Sequence, residues 1–206
     1  MAAKFSLRPA TRKDAVDLAI LMDMASRGLV NWVWSTMAEP GQSALEVGRD
    51  RILNRADLPS HFSRWRVAEH DGATAGGYAG YVVPDPYDPG DVSELPDVYG
   101  PLLELEALAA GSWFLMAIGV YPEFRREGLG SMLLESAIGE AREAGVERIS
   151  LTVSTANDDA LRLYQRNGFR EIARRGIIVF PSSGEFGDWV LLGQAVSVGT
   201  STVLHR

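Results

Sequence analysis

Residues 113–131 read Trp-Phe-Leu-Met-Ala-Ile-Gly-Val-Tyr-Pro-Glu-Phe-Arg-Arg-Glu-Gly-Leu-Gly-Ser, an apolar strand that enters a helix through a turn of two arginines and two glycines. With no Cβ at Gly128 or Gly130, successive backbone N–H groups can converge on an anion, and the helix N-terminus adds its partial positive charge. Arg125 and Arg126 place full charges beside it. Three phosphate-binding patterns compete with a plain glycine-containing helix start. A Walker loop fails, because Gly130 is followed by Ser131 without the required lysine. A dinucleotide fold needs a third glycine where Leu133 stands, and leaves Glu147 as its distal acid.

Outward from this turn, the apolar spacing of Leu133, Leu134, Ala137, Ile138 and Ala141 predicts a helix that Gly145 ends. Ile149, Leu151 and Val153 alternate as a strand. Asn157, Asp158 and Asp159 open a helix that stops at Asn167 and Gly168. Ile177 to Phe180 and Trp189 to Leu192 read as a closing hairpin around Pro181 to Asp188. Towards the N-terminus, Phe5 and Leu7 suggest a strand, and Thr11 with Asp14 a helix start, the helix running to about Ser26. Ser43 with Glu46 caps another helix that reaches about Arg55. Trp65 to Glu69 and Gly77 to Val83 read as strands joined at His70, Asp71 and Gly72. Residues 84–101 hold five of the ten prolines, so this stretch reads as a loop or insertion.

A chain of 206 residues, 46% hydrophobic and 23% charged, fits one domain with its own core. The absence of cysteine removes disulfides, thiolate metal sites and cysteine nucleophiles together, so no metal is expected and a reducing, cytoplasmic setting is. Met1 to Pro9 shows no signal-peptide pattern, and the longest uncharged stretches, Ala107–Pro122 and Trp189–Leu204, are 16 residues each. A membrane span needs about 20 apolar residues, so none is expected. The net charge of -7 argues against nucleic acid as a partner. Charge is also unevenly spread, since Val67–Phe124 carries ten acidic residues and no Lys or Arg.

Arg125-x-x-Gly128-x-Gly130 after Val120-Tyr121-Pro122, with Asn157, Tyr164 and Asn167-Gly168-Phe169 downstream, resembles the GNAT superfamily of acyl-CoA-dependent N-acetyltransferases. The opening Arg8-Pro9-Ala10-Thr11 with Asp14 extends the similarity to residues 5 to about 195. The resemblance implies an α/β (α+β) fold: one domain over 1–206, with a mixed, mostly antiparallel sheet flanked by helices on both faces and a Pro- and acid-rich insertion at about 84–106. It implies acetyl-CoA as co-substrate. The strand 113–120 would splay from its neighbour near Val120, and backbone groups at Ile118 and Val120 would pair with pantetheine, as if the arm were another strand. Arg125, Arg126, Glu127, Gly128, Leu129, Gly130 and Ser131 would wrap the pyrophosphate. Tyr164 matches the tyrosine that touches the cofactor and protonates the departing thiolate. Asn157 either binds cofactor or caps its helix.

The same resemblance implies transfer to a primary amine on a small molecule or peptide, by direct attack because no cysteine can carry the acyl group. The alternative is an acyl-CoA sensor that has lost turnover. Where some family members place a glutamate base on the central strand, this chain aligns Phe114, so Glu104, Glu106 or His61 through a water are the candidates. Trp32 and Trp34 fall where the family lines its acceptor pocket, with core packing the competing role. The acidic stretch either attracts a cationic acceptor or is a solvated face. A homodimer is the expected assembly.

Overall fold

The computed structural model describes residues 4–92, 95–181 and 187–197. Their strands form one seven-stranded sheet, and the reason lies in how each half of the chain buries its apolar side. The N-terminal half supplies β1 (Ser6–Pro9), α1 (Ala15–Ser26), α2 (Leu29–Met37), α3 (Ala44–Asn54), β2 (Trp65–His70) and β3 (Ala73–Val82). The C-terminal half adds α4 (Gly100–Ala107), β4 (Trp113–Val120), α5 (Leu129–Glu143), β5 (Arg148–Ser154), α6 (Asp158–Arg166), β6 (Arg170–Gly176) and β7 (Asp188–Ala195). The strand order is β1-β2-β3-β4-β5-β7-β6, and only the β4–β5 pair is parallel. This is the mixed, mostly antiparallel sheet expected.

Helices cover both faces. Leu115, Leu151 and Val153 pack under the α5 residues Leu129, Leu133 and Ala137, whereas Phe114 packs with Leu29 and Val33 of α2 and Leu105 of α4. The first helix is introduced by Asp14, 6% exposed, which accepts hydrogen bonds from the Thr11 N–H (2.7 Å) and from two Arg8 nitrogens (2.8 Å each). The guanidinium, the first of several partners, holds the Asp14 carboxyl down to about 2. Ser43 and Glu46 form the capping box expected ahead of α3.

Several expectations need correction. The stretch holding Trp32 and Trp34, to which the sequence pattern assigns no element, is helical, in α2, and Arg27 and Gly28, both at positive φ, make the tight turn into it. β3 begins at Ala73, so the hairpin turn is Asp71-Gly72, both at positive φ as a type I′ turn requires. The closing hairpin uses 170–176 as its first strand, not 177–180, and most of the connecting stretch 181–188 lies outside the described residues. The Pro-rich stretch is an excursion between β3 and β4. It leaves at Val83, whose N–H donates to the Ser112 carbonyl (2.9 Å), and returns at Gly111, whose N–H donates to the Val83 carbonyl (3.0 Å). Its last third is not loop, because Asp97–Tyr99 and then α4 are helical, with Pro101 in the first turn of α4 where no N–H is missed.

Candidate active site

Trp113, Phe114 and Leu115 of β4 pair with Ile149, Ser150 and Leu151 of β5, and there the parallel ladder ends although both strands continue. The cause is a β-bulge: Ala117 opposes Ala79 and Leu115 opposes Gly80, which leaves Met116 unopposed and bends β4 away. The splay thus begins at Met116, four residues before the position near Val120 expected from sequence. Beyond the bulge, the Tyr121 N–H donates to the Ala75 carbonyl on β3 (3.0 Å). Strand alternation then turns the peptide groups of Ile118 and Val120 away from β3, into the opening towards β5. Of these, the Val120 carbonyl accepts Arg125 Nε at 3.2 Å. Close approach beside the opening depends on glycine, since a Cβ on Gly76 would lie 2.5 Å from the Gly119 carbonyl oxygen.

The turn that follows leaves backbone donors open at the start of α5, a geometry suited to an anion. Arg126 (φ 62) and Gly128 (φ 86) are both left-handed, and α5 starts at Leu129 with no side-chain cap. Its first backbone bond runs from the Met132 N–H to the Gly128 carbonyl (3.1 Å), which leaves the N–H groups of Leu129, Gly130 and Ser131 without intrahelical acceptors. Among the described residues, little crowds the two glycines. A Cβ on Gly128 would meet nothing within 4 Å, and one on Gly130 only Leu163 Cδ2 at 3.6 Å. Arg125 and Arg126 are exposed, and the Glu127 carboxylate is taken by Lys4 Nζ (2.6 Å), which leaves its backbone to the cradle.

Next to the cradle, α6 begins with Asn157, whose side chain accepts the Ala160 N–H (3.3 Å) and so caps the helix. Tyr164, 5% exposed, packs with Leu129, Leu151, Val153 and Phe169, and Ile118 and Val120 border that cluster. Its phenol makes no hydrogen bond among the described residues, and burial pushes its pKa up.

On the opposite face the three base candidates separate. Glu104 is exposed and ion-paired with Arg175. His61 Nδ1 faces Ser63 Oγ (2.8 Å) and its ring leans, tilted by 48°, on Phe62, a purely local arrangement. Glu106 instead turns from α4 onto the sheet, where its Oε1 accepts the Tyr81 hydroxyl (2.7 Å). Burial raises its carboxyl pKa, against the pull of Tyr81. Tyr81 lies opposite Phe114 on β4, with ring centroids 6.0 Å apart, so the helix brings a carboxylate to the place where the central strand lacks one. Trp32 leans on Phe180 (5.5 Å) in the same aromatic cluster. Trp34 is core, pressed so closely on Gly48 that a Cβ there would sit 2.4 Å from its ring. Tyr81, Tyr87, Thr152 and the bulge at Met116 were not singled out from sequence. Only the aromatic spacing of Tyr81 and Tyr87 around the proline stretch hinted at the first two.

A sequence model of the acetyltransferase (GNAT) family matches residues 27–169. The chain belongs to the GNAT family. Among relatives, it is 26% identical over 149 residues to the uncharacterized N-acetyltransferase YdgE of Bacillus subtilis, covering 72% of this chain and 80% of that one. It is 36% identical over 84 residues to the ribosomal protein bS18-alanine N-acetyltransferase of Salmonella typhimurium, covering 41% of this chain and 56% of that protein. In fold it resembles a crystal structure described as an acetyltransferase (TM-score 0.62, 21% identity, 93% and 100% of the two chains). It also resembles the ribosomal-protein-S18-alanine N-acetyltransferase of Escherichia coli (TM-score 0.58, 19% identity, 98% and 99%). These GNAT relatives carry the N-acetyltransferase activity in their names, and the chain is an N-acetyltransferase of this family, which uses acetyl-CoA. Among the described residues no cluster of side chains is suited to a metal ion, and no helix is long and apolar enough to cross a membrane.

Proposed function

We propose that the protein transfers an acetyl group from acetyl-CoA directly to a primary amine, with the cradle, Tyr164 and Glu106 as its working parts. The observation that supports this best is the pairing of an uncapped α5 N-terminus with Gly128, whose Cβ position meets no described residue within 4 Å, and Gly130, whose Cβ position makes only an ordinary contact with Leu163. An anionic ligand fits both features at once. Backbone N–H groups from Leu129 to Ser131, with Arg125 and Arg126, would hold the pyrophosphate, and the outward peptide groups of Ile118 and Val120 would bind the amide-bearing arm.

Acetyl-CoA supplies the acetyl thioester. Glu106, raised in pKa by its burial, takes a proton from the acceptor ammonium and returns it to water. The neutral nitrogen bonds to the carbonyl carbon, the carbon–sulfur bond breaks, and Tyr164 gives its proton to the thiolate. The phenolate takes a second proton from the acylated nitrogen, so one amide, one thiol and one released proton result. Burial keeps Tyr164 protonated well beyond neutral pH, as an acid needs. With no cysteine in the chain, no acyl-enzyme on a thiol is available. Cytoplasmic residence and a homodimeric assembly complete the proposal, the first from the cysteine-free composition and the second from the family resemblance.

Thermal unfolding with CoA tests it. A ligand bound only by the native state at 100 times its Kd adds about 2.7 kcal/mol of stability. For a chain of this size, about 1 kcal/mol moves Tm by 2–4 °C, so a rise of roughly 5–10 °C is expected. No rise at millimolar CoA refutes the assignment.

A further inference from the structure

The excursion between β3 and β4 delivers more than one base to the face of the sheet opposite α5. Glu106 Oε1 is occupied by Tyr81, but among the described residues its second carboxylate oxygen has no hydrogen-bond partner and is not sealed from solvent. Tyr87, from the proline stretch, lies close enough for the Glu106 charge to act on its phenol, which burial first of all raises to about 12. The Tyr87 hydroxyl is buried and makes no hydrogen bond. Thr152 Oγ1 is likewise buried and unpartnered. Thr152 is the first β5 residue past the last rung with β4, and it lies opposite Leu191, a member of the same aromatic cluster as Phe114. One vacant carboxylate oxygen and two orphaned hydroxyls therefore belong to one apolar layer, where unpaired polar atoms are costly unless a ligand or water completes them.

We infer, building on the acetyltransferase reading above, that the acceptor is a small monoamine with an apolar, flat body. Its ammonium is received by Glu106 and Tyr87, and its body lies among Tyr81, Phe114 and Trp32. An ammonium has three donors and no acceptor, which suits the solvent-reachable Glu106 oxygen and, once it displaces the side chains that seal it, the Tyr87 phenol oxygen, which lacks a donor. Aromatic faces around it add cation–π attraction and accommodate the body. Within the acidic stretch, a second positive charge finds no such reception among the described residues. Glu104 is tied to Arg175, and Asp85, Asp88, Asp91 and Asp97 are exposed to water, so among the described residues Glu106 is the one carboxylate of the acidic stretch that enters the aromatic layer. A polyamine would have to bury a further ammonium without a partner, or leave it outside. The uneven charge along the sequence thus divides into a solvated face and a single working carboxylate.

The test uses the full chain with acetyl-CoA, thiol release as readout, and three probes: 2-phenylethylamine, spermidine and a short peptide with a free N-terminus. The expected result is a kcat/KM for 2-phenylethylamine at least about 10-fold above that of the other two. Tyr87→Phe removes one oxygen and little volume, so it should raise the KM for 2-phenylethylamine about 3- to 10-fold while kcat changes less. It should leave CoA protection against heat intact, since Tyr87 lies on the other side of the sheet. Faster turnover of spermidine or of the peptide overturns the inference. So does CoA protection without turnover of any probe, or an unchanged KM in Tyr87→Phe. Loss of CoA protection in the unmodified protein overturns the underlying acetyltransferase reading instead, so the two failures are distinct.

Discussion

Tyr164→Phe separates a catalytic tyrosine from a packing tyrosine because it keeps the packing and removes the acid. The residue is 5% exposed, its ring packs on Phe169 (centroids 5.7 Å apart), and its hydroxyl has no hydrogen-bond partner among the described residues. Phenylalanine keeps the ring and removes only an unpartnered oxygen that is not sealed from solvent. An oxygen that still reaches water carries little desolvation cost, so its deletion should change stability by less than about 1 kcal/mol, within 2–4 °C in Tm. The rate should move far more. A positioned general acid contributes about 10²- to 10⁴-fold, equivalent to about 3–5 kcal/mol of barrier, and kcat should fall by that factor at saturating acetyl-CoA. The pH profile adds a third reading. The acid must be protonated to act, and burial lifts its pKa above the ordinary 10, so the unmodified enzyme should keep its rate through pH 10 on the alkaline side. Thermal denaturation and thiol release on the same preparation decide it. A Tm lowered by 3 °C or more, or a kcat within threefold of the parent, refutes the reasoning.

Glu106→Gln should cut kcat/KM by about 10²- to 10⁴-fold and abolish the acid limb of the pH–rate profile. A carboxyl whose pKa is raised by folding stabilises most below its unfolded pKa and loses that contribution as pH climbs through the folded value. Glu106→Gln should therefore be no less stable than the parent at pH 7, with the difference shrinking towards pH 4 in a melting series. A variant that is markedly less stable at pH 7 would count against the strained carboxylate. In the cradle, Gly130→Ala sits in a helix with only an ordinary contact ahead of it, so it should stabilise the unliganded protein by about 0.5–1 kcal/mol. The same methyl would crowd the phosphates and reduce the CoA-induced Tm shift. Gly128→Ala should instead destabilise by about 1–2 kcal/mol, because φ 86 is unfavourable for any residue with a Cβ. An undiminished CoA shift in Gly130→Ala would move the phosphates away from this turn.

What could be read from the residues was whatever short-range chemistry dictates. The Ser43–Glu46 box, the Asp71-Gly72 turn and the glycine-started helix at 129 each depend on a few neighbouring residues, and each appears at or within a residue or two of its expected place. β6 escaped because it is an edge strand: Arg170-Glu171-Ile172-Ala173-Arg174-Arg175-Gly176 carries the charges that keep a sheet edge from pairing further, and those charges mask its alternation. The neighbouring Ile177 to Phe180, being apolar, drew the strand assignment, yet Phe180 is needed under Trp32 rather than in the ladder. The bulge at Met116 was invisible for another reason. No local signal in Leu115-Met116-Ala117 demands it; it follows from the register that β3 imposes, through Gly76 and Gly80 packing against Gly119 and the Trp113 ring. The proposed base shows the same limit. Phe114 on the central strand and Glu106 on α4 are eight residues apart in sequence, and only the return of the excursion at Gly111 lays the carboxylate against Tyr81 beside that phenylalanine. On the proposed reading, a strand position that carries no acid is served by a helix from the neighbouring excursion, which makes the length and anchoring of residues 84–111, rather than the identity of residue 114, the variable that sets this chemistry.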